Sequence, residues 1–311
     1  MKNILLTGGL GYIGSILTEY LLNEKYKVTI VDNNIYKQNS LARFYINDDL
    51  EVIKGDVRDT NLMSQLLNKH DIIIPLAALV GAPLCDRDPI AATTINKDSV
   101  KWLFEKCSKD QLIIMPTTNS AYGIGDENHY CDEDSKLNPI SKYAKDKVEV
   151  EKHLMNMKNY ISLRLATVFG MSPRMRIDLL VNDFVFRAVN DGYIVIFEGH
   201  FKRNYIHVRD VANCFIHCIK NFDKIKNEVY NVGLSDANLS KLELCTEIKK
   251  QLPNFYFSES NVNKDPDQRN YIVSNKKIEN TGFAPKVSLQ KGIEELIKGY
   301  KFLENLNNRN S

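Results

Sequence analysis

A doubly wound α/β fold on a parallel sheet is the architecture this sequence predicts, and three observations predict it. Gly8, Gly9, Gly11 and Gly14 fall within seven residues of a 311-residue chain that has only 15 glycines. They lie between a short apolar run and a segment with apolar residues at helical spacing, so they occupy a strand-to-helix turn. The strand-then-helix alternation repeats to about residue 165, and repeated βα units give a parallel sheet covered by helices.

Taken in order, residues 3–7 (NILLT) read as a buried strand and 12–23 (YIGSILTEYLLN) as the first helix. Strands follow at 27–31 and 52–53, a helix at 61–67, a strand at 71–76, a helix at 90–107 and a strand at 112–115. A helix over 140–157 precedes a strand at 160–165. Beyond Gly170 the rhythm loosens, with short strands at 194–197, 203–207 and 228–232 among helices near 179–189, 211–220, 239–252 and 289–303. This pattern implies a cofactor-type domain over 1–170, with 205–236 interleaved into it, and a smaller α/β lobe formed mostly by 171–311. The polar run from Asn305 to Ser311 reads as a frayed tail.

Lys and Arg total 41 against 39 Asp and Glu, without long single-sign runs, which argues against nucleic-acid and membrane-surface binding. The longest uncharged stretch, Ile72 to Cys85, contains Pro75, Gly81 and Pro83 and is too short to span a bilayer. Only Lys2 precedes Ile4-Leu5-Leu6 before the glycines, unlike a signal peptide, so a cytoplasmic location is expected. The six cysteines form no C-x-x-C pair and read as reduced thiols, with Cys214 and Cys218 on one buried helix face. No His, Cys, Asp or Glu cluster has metal-ligand spacing, and no metal is expected.

The glycine turn, Thr7-Gly8-Gly9-Leu10-Gly11-Tyr12-Ile13-Gly14, has the spacing G-x-x-G-x-x-G. Positions without side chains let backbone N–H groups and a helix N-terminus approach a pyrophosphate. Asp32 ends the next strand, 18 residues past Gly14, where a carboxylate accepts hydrogen bonds from an adenosine ribose and repels a 2′-phosphate. NAD is therefore expected rather than NADP, held by Gly8, Gly11, Tyr12, Ile13, Gly14, Asp32 and the adjacent Asn33. Asp56-Val57 and Leu76-Ala77-Ala78 follow the third and fourth strands, where carboxyl ends meet a ligand crevice.

Tyr143 and Lys147 stand four apart on a predicted helix, so they share a face, and a lysine charge there favours the tyrosinate. A tyrosine so placed can take or return a hydroxyl proton during hydride transfer. Thr117 and Thr118 follow the fifth strand, and the Thr118 hydroxyl is the candidate partner of the reacting oxygen.

In this order the motifs resemble the extended short-chain dehydrogenase/reductase family, the NAD-dependent sugar-nucleotide epimerases, dehydratases and dehydrogenases, over almost the whole chain. Its T-G-x-x-G-x-I-G is matched by Thr7 to Gly14, its acid by Asp32, its D-V by Asp56-Val57 and its Y-x-x-x-K by Tyr143 and Lys147. Thr117 to Gly123 is similar to the S-S/T-x-x-x-Y-G segment, which puts Thr118 at the Ser/Thr position. Leu163-Arg164, Val168 to Gly170, Arg203 to Val211 and Tyr230 to Gly233 resemble the later landmarks. Pro75 stands where a histidine is common, and Arg209 where Asp is common. The resemblance implies a Rossmann-type NAD-binding domain with a sugar-nucleotide lobe after Gly170. It also implies NAD contacts from Thr117, Tyr143 and Lys147, and a homodimer packed through helices around 96–107 and 143–157, or a larger homo-oligomer.

Sugar 4,6-dehydratases of that family carry Asp and Glu directly after the Ser/Thr, and some epimerases a cysteine; here Asn119 and Ser120 follow. Without that acid/base pair, elimination of water is not expected. Oxidation at a sugar C4 hydroxyl remains, ending at the ketone or reversing from the other face. Residues 74–85, 118–125, 164–182 and 265–275 resemble the GDP-manno-heptose 4-dehydrogenases of bacterial capsule heptose pathways, which implies a GDP-linked heptose, tightly held NAD and a 4-keto product. A UDP- or GDP-sugar 4-epimerase is the alternative, and a dinucleotide-binding sensor without catalysis is disfavoured by intact Thr118, Tyr143 and Lys147. Candidate substrate contacts are Val80, Gly81, Thr118, Asn119, Ser120, Asn182, Arg203 and Arg269, the last three by family position. Arg174 and Arg176 follow Pro173 and suit either the ligand or the surface.

Overall fold

The computed structural model describes residues 2–125, 129–260 and 269–302. The expected tail from Asn305 to Ser311, Leu303 of the last predicted helix, and residues 265–268 of the heptose-type resemblance lie outside them.

Twelve strands are present among the described residues: β1 Asn3–Thr7, β2 Lys27–Asp32, β3 Leu50–Lys54, β4 Ile72–Pro75, β5 Leu112–Thr118, β6 Tyr160–Leu165, β7 Thr167–Phe169, β8 Tyr193–Phe197, β9 Lys202–His207, β10 Glu228–Val232, β11 Asn238–Ser240 and β12 Tyr256–Ser260. Seven of them form one parallel sheet in the order β3-β2-β1-β4-β5-β6-β10. The chain therefore has the predicted Rossmann-type α/β architecture. Strand order reverses between β1 and β4, and such a switch point opens a crevice at the strands' carboxyl ends.

The sheet is covered on both faces, which is why its strands are continuous apolar runs rather than alternating ones. Ile4 and Leu6 join Ile72 and Ile74 in one core with the helices Tyr12–Asn23 and Val208–Lys220. Leu5 and Ile73 point the other way, into a core with Met63, Phe104 and Val150. Two smaller sheets complete the fold: β9 pairs in parallel with β7 and antiparallel with β11, and β8 pairs in parallel with β12.

Differences from the predicted elements have local causes. The predicted helix over 90–107 is instead Pro89–Thr93, a π-helical turn Thr94–Asp98, and Ser99–Lys106. The wide turn carries Asn96 inward, where its amide donates to the Leu79 carbonyl and accepts from the Leu79 N–H, both at 2.8 Å. That pair fixes the loop after β4. The helix predicted from residue 239 starts at Lys241, because Ser240 and Glu243 form a capping box that ends β11. β5 runs on to include Thr117 and Thr118, which were expected just beyond it. Among the described residues, no helix is long and apolar enough to cross a membrane. All six cysteines are free thiols, with Cys214 and Cys218 fully buried.

Candidate active site

A cavity of about 590 Å³ lies at the carboxyl ends of the sheet strands, across the switch point. One end is the glycine turn. Gly8 has φ +72°, and a Cβ there would lie 2.7 Å from the Ala77 nitrogen, so this left-handed bend admits only glycine without strain. At Gly14 a Cβ would come within 2.3 Å of the Gly8 carbonyl oxygen, so glycine lets the helix start directly beneath the turn. Helix Tyr12–Asn23 has Gly11 as its N-cap, and no side chain caps its first N–H groups. Gly11, Tyr12 and Ile13 line the cavity there, an arrangement that fits a diphosphate.

Asp32 ends β2 at the same cavity, accepting from Leu10 N–H at 3.0 Å and Asn34 N–H at 2.8 Å. Burial raises its carboxyl, while these two N–H groups and the nearby Arg174 charge oppose the rise. Asn33, Asp56, Val57, Leu76, Ala77 and Ala78 line the groove with it. Ala77 N–H donates to Thr7 Oγ1 at 3.2 Å, which pins the loop after β4 to the end of β1. The glycine turn and Asp32 thus present the diphosphate and ribose contacts a dinucleotide requires.

The other wall carries Thr118, Ser120, Tyr143 and Lys147. Ser141 caps helix Lys142–Leu154 by accepting from Ala144 N–H, which sets Tyr143 in the first turn and Lys147 one turn later on the same face. Lys147 Nζ lies 6.0 Å from the Tyr143 ring centroid and donates to the Pro116 carbonyl at 3.4 Å. Thr118 Oγ1 donates to Ser120 Oγ at 2.9 Å and accepts from Ser120 N–H at 3.1 Å, and Arg269 also donates to Ser120 Oγ.

Burial dominates the electrostatics of this pair. Burial pushes the Tyr143 hydroxyl up to about 12; Arg176 and Arg269 pull it down, and Cys85 adds to the rise. Burial pushes Lys147 itself down to about 8, against Cys85 and Asp146, because an enclosed ammonium loses its hydration.

Val80, Gly81, Arg203 and Arg269 also reach the cavity, whereas Asn119 and Asn182 are not among its lining residues. The Asn182 side chain is committed to structure: Oδ1 accepts from Gly170 N–H at 3.0 Å, and Nδ2 donates to the Arg176 carbonyl at 2.9 Å and to Tyr12 Oη at 3.2 Å. Asn119 is wholly buried, and neither polar atom of its amide has a hydrogen-bond partner among the described residues. Two other expected contacts line the cavity with their hydroxyls turned elsewhere. Tyr12 donates to the Gly170 carbonyl at 2.7 Å, and Thr117 donates to Glu151 at 2.9 Å. Glu151 also holds Ser162 and Arg164, a buried charge pair tying this helix to β6.

Arg174 and Arg176, which the sequence leaves open between ligand and surface, are both buried and line the cavity, and Arg176 pairs with Asp178. Sequence reasoning passed over Tyr36, which lies four residues past Asp32 and also lines the groove. No period or motif marks it. Cys85 is buried and donates to the Leu79 carbonyl at 3.3 Å.

The NAD dependent epimerase/dehydratase family matches residues 4–233. The chain belongs to that family. Its cofactor is NAD. The chain is 26% identical to a UDP-N-acetyl-alpha-D-glucosaminuronate decarboxylase of Bacillus cytotoxicus, over 98% of this chain and 99% of the relative. A putative UDP-glucose 4-epimerase of Methanocaldococcus jannaschii is also 26% identical, over 96% of this chain and 98% of the relative. Among solved structures, the UDP-glucuronic acid 4-epimerase of Bacillus cereus, in complex with UDP-glucuronic acid and NAD, superposes with a TM-score of 0.84 at 25% identity, covering 96% and 99% of the two chains.

Proposed function

We propose that this protein oxidises the C4 hydroxyl of a nucleotide-linked sugar, GDP-D-glycero-D-manno-heptose, to the 4-keto sugar used in modifying surface-polysaccharide heptose. The observation that carries the oxidation is that Thr118, Tyr143 and Lys147 line the same cavity as the glycine turn and Asp32. Guanine and heptose rest on the resemblance of residues 74–85, 118–125 and 164–182 to heptose 4-dehydrogenases.

NAD, when bound, supplies the acceptor for the hydride leaving C4. Gly8, Gly11 and Ile13 hold its diphosphate through backbone groups, and Asp32 its adenosine ribose. Tyr143 takes the proton of the C4 hydroxyl and Thr118 hydrogen-bonds the same oxygen, so loss of hydride and proton leaves the ketone. Arg176 and Arg269 draw the Tyr143 hydroxyl toward ionisation, and the N-terminus of its helix favours the same charge. Lys147 contacts the nicotinamide ribose. Arg203 and Arg269 neutralise the sugar-nucleotide diphosphate. Asn119 and Ser120 offer no carboxylic acid, which disfavours elimination of water.

The division of labour follows 1–170, with 205–236 interleaved, for the cofactor and 171–311 for the sugar nucleotide; β10 at the edge of the large sheet supports it. We expect a cytoplasmic homodimer packed through helices Ser99–Lys106 and Lys142–Leu154.

A second reading, 4-epimerisation, is favoured by the 4-epimerase names among the relatives. A single-turnover reaction with GDP-manno-heptose separates the two. Enzyme-bound NADH accumulating with a 4-keto product supports the dehydrogenase, and inverted C4 without net NADH supports the epimerase. No change in nicotinamide or sugar overturns both for this substrate.

A further inference from the structure

We propose that Tyr36 and Arg174 form a strap across the cofactor end of the cavity and set how fast NAD exchanges. The inference rests on the NAD site alone, not on the choice of sugar. Tyr36 belongs to the turn after β2 and Arg174 to the loop after β7, yet both line the groove that holds the glycine turn and Asp32. The Arg174 guanidinium carbon lies 3.9 Å from the Tyr36 ring centroid, a face-on cation–π contact. Arg174 is only 2% exposed, so the guanidinium side of the contact is desolvated, which strengthens a cation–π pair.

Both ends of the strap are fixed independently of each other. On the Tyr36 side, Asn34 N–H donates to Asp32 Oδ1 at 2.8 Å, Ile35 N–H to Asn33 Oδ1 at 3.1 Å and Lys37 N–H to the Asn34 carbonyl at 2.9 Å. Asn34 and Lys37 adopt left-handed φ values of 52° and 51° to make this turn. Ser40 Oγ then ties the segment to the Leu10 carbonyl at 2.9 Å. On the Arg174 side, Ser172 Oγ donates to the Tyr12 carbonyl at 2.8 Å, and Arg174 Nη1 to the Met175 carbonyl at 3.0 Å. Both loops are therefore anchored on the phosphate turn and its helix. Asp32 adds a third group, since Arg174 and Asp32 feel each other's charge. A dinucleotide held at once by the glycine turn and by Asp32 lies in the groove this contact bridges, so leaving requires the ring and the guanidinium to part.

The test loads the full-length protein with isotopically labelled NAD, removes free cofactor and follows release into excess unlabelled NAD. Tyr36→Ala removes the ring from a half-buried position, and Tyr36→Phe keeps its face while deleting the hydroxyl. Tyr36→Ala is expected to release NAD about tenfold faster than wild type, and Tyr36→Phe within about twofold of it. Arg174→Met should match Tyr36→Ala, and the cofactor-free Tyr36 variants should melt with wild type. Release from Tyr36→Ala at the wild-type rate overturns the strap. Equal acceleration in Tyr36→Phe overturns the ring-face contact as its cause. Wild-type protein that carries no NAD as purified and takes up none of the label overturns the cofactor assignment itself, an outcome separate from failure of the sugar reading.

Discussion

At its cofactor end the cavity is walled by backbone, with Gly8 and Gly14 packed so closely that a Cβ would lie 2.7 Å from Ala77 and 2.3 Å from Gly8. Elsewhere its wall is made by long charged side chains, Arg176, Arg203 and Arg269. Backbone walls demand particular residue types at fixed spacing, because only glycine fits, and they suit a cofactor common to many reactions. Side-chain walls can be rebuilt from any loop that reaches the cavity, so substrate choice varies while the cofactor site persists. Tyr143 stands between the two, on a capped helix but under the charge of Arg176 and Arg269.

The largest effect should come where the two walls meet. Tyr143→Phe is expected to lower turnover by about a thousandfold or more while bound NAD and the folded fraction stay at wild-type levels. Normal kinetics in that variant would sink the assigned role.

Lys147→Met probes burial rather than chemistry. Folding lowers the Lys147 pKa from 10.5 to about 8, so between those values the unfolded chain binds the extra proton and stability rises with pH. Below about pH 8 the buried ammonium weakens the fold by on the order of 3 kcal/mol. The cofactor-free Lys147→Met protein should therefore resist urea better than wild type at pH 7, and the gain should fade as pH climbs past about 10. A constant difference across that range would show that the lysine is not strained by burial.

Gly14→Ala tests the backbone wall, with an expected loss of about 1–3 kcal/mol in urea unfolding together with weakened NAD retention. Unchanged NAD binding would mean the close approach is not what the cofactor needs.

Arg269→Gln tests the side-chain wall and should move least. KM for the sugar nucleotide is expected to rise about tenfold with kcat changed about twofold at most, as loss of one charged hydrogen bond implies. A kcat loss matching that of Tyr143→Phe would shift Arg269 from binding to chemistry.

The same contrast governs what could be read before the structure. Helix Tyr12–Asn23 and strands β1, β6 and β10 have the predicted bounds, because apolar periodicity and the glycines mark them locally. The π-helical turn at Thr94–Asp98 and the short strands β7 and β12 were not legible, since each exists only through a distant partner: Leu79 for Asn96, β9 for β7 and β8 for β12. In the site, the glycine turn, Asp32, Thr118, Tyr143 and Lys147 do share one cavity. Asn182 does not reach it, because its amide is engaged by Gly170, Tyr12 and Arg176. The contact between Arg174 and Tyr36 was hidden because the two are 138 residues apart in sequence and meet only through the fold.

The parallel sheet, the glycine turn with Asp32, and the i, i+4 pair of Tyr143 and Lys147 are legible in the chain before it folds. Those follow from residue type and short spacing, which local backbone geometry translates directly. Tertiary packing sets which arginines enter the cavity, leaves Asn119 and Asn182 outside its lining, and through burial raises Tyr143 while lowering Lys147. A side chain's direction and its hydration depend on what packs around it, and the groups around these residues come from segments far away in the chain.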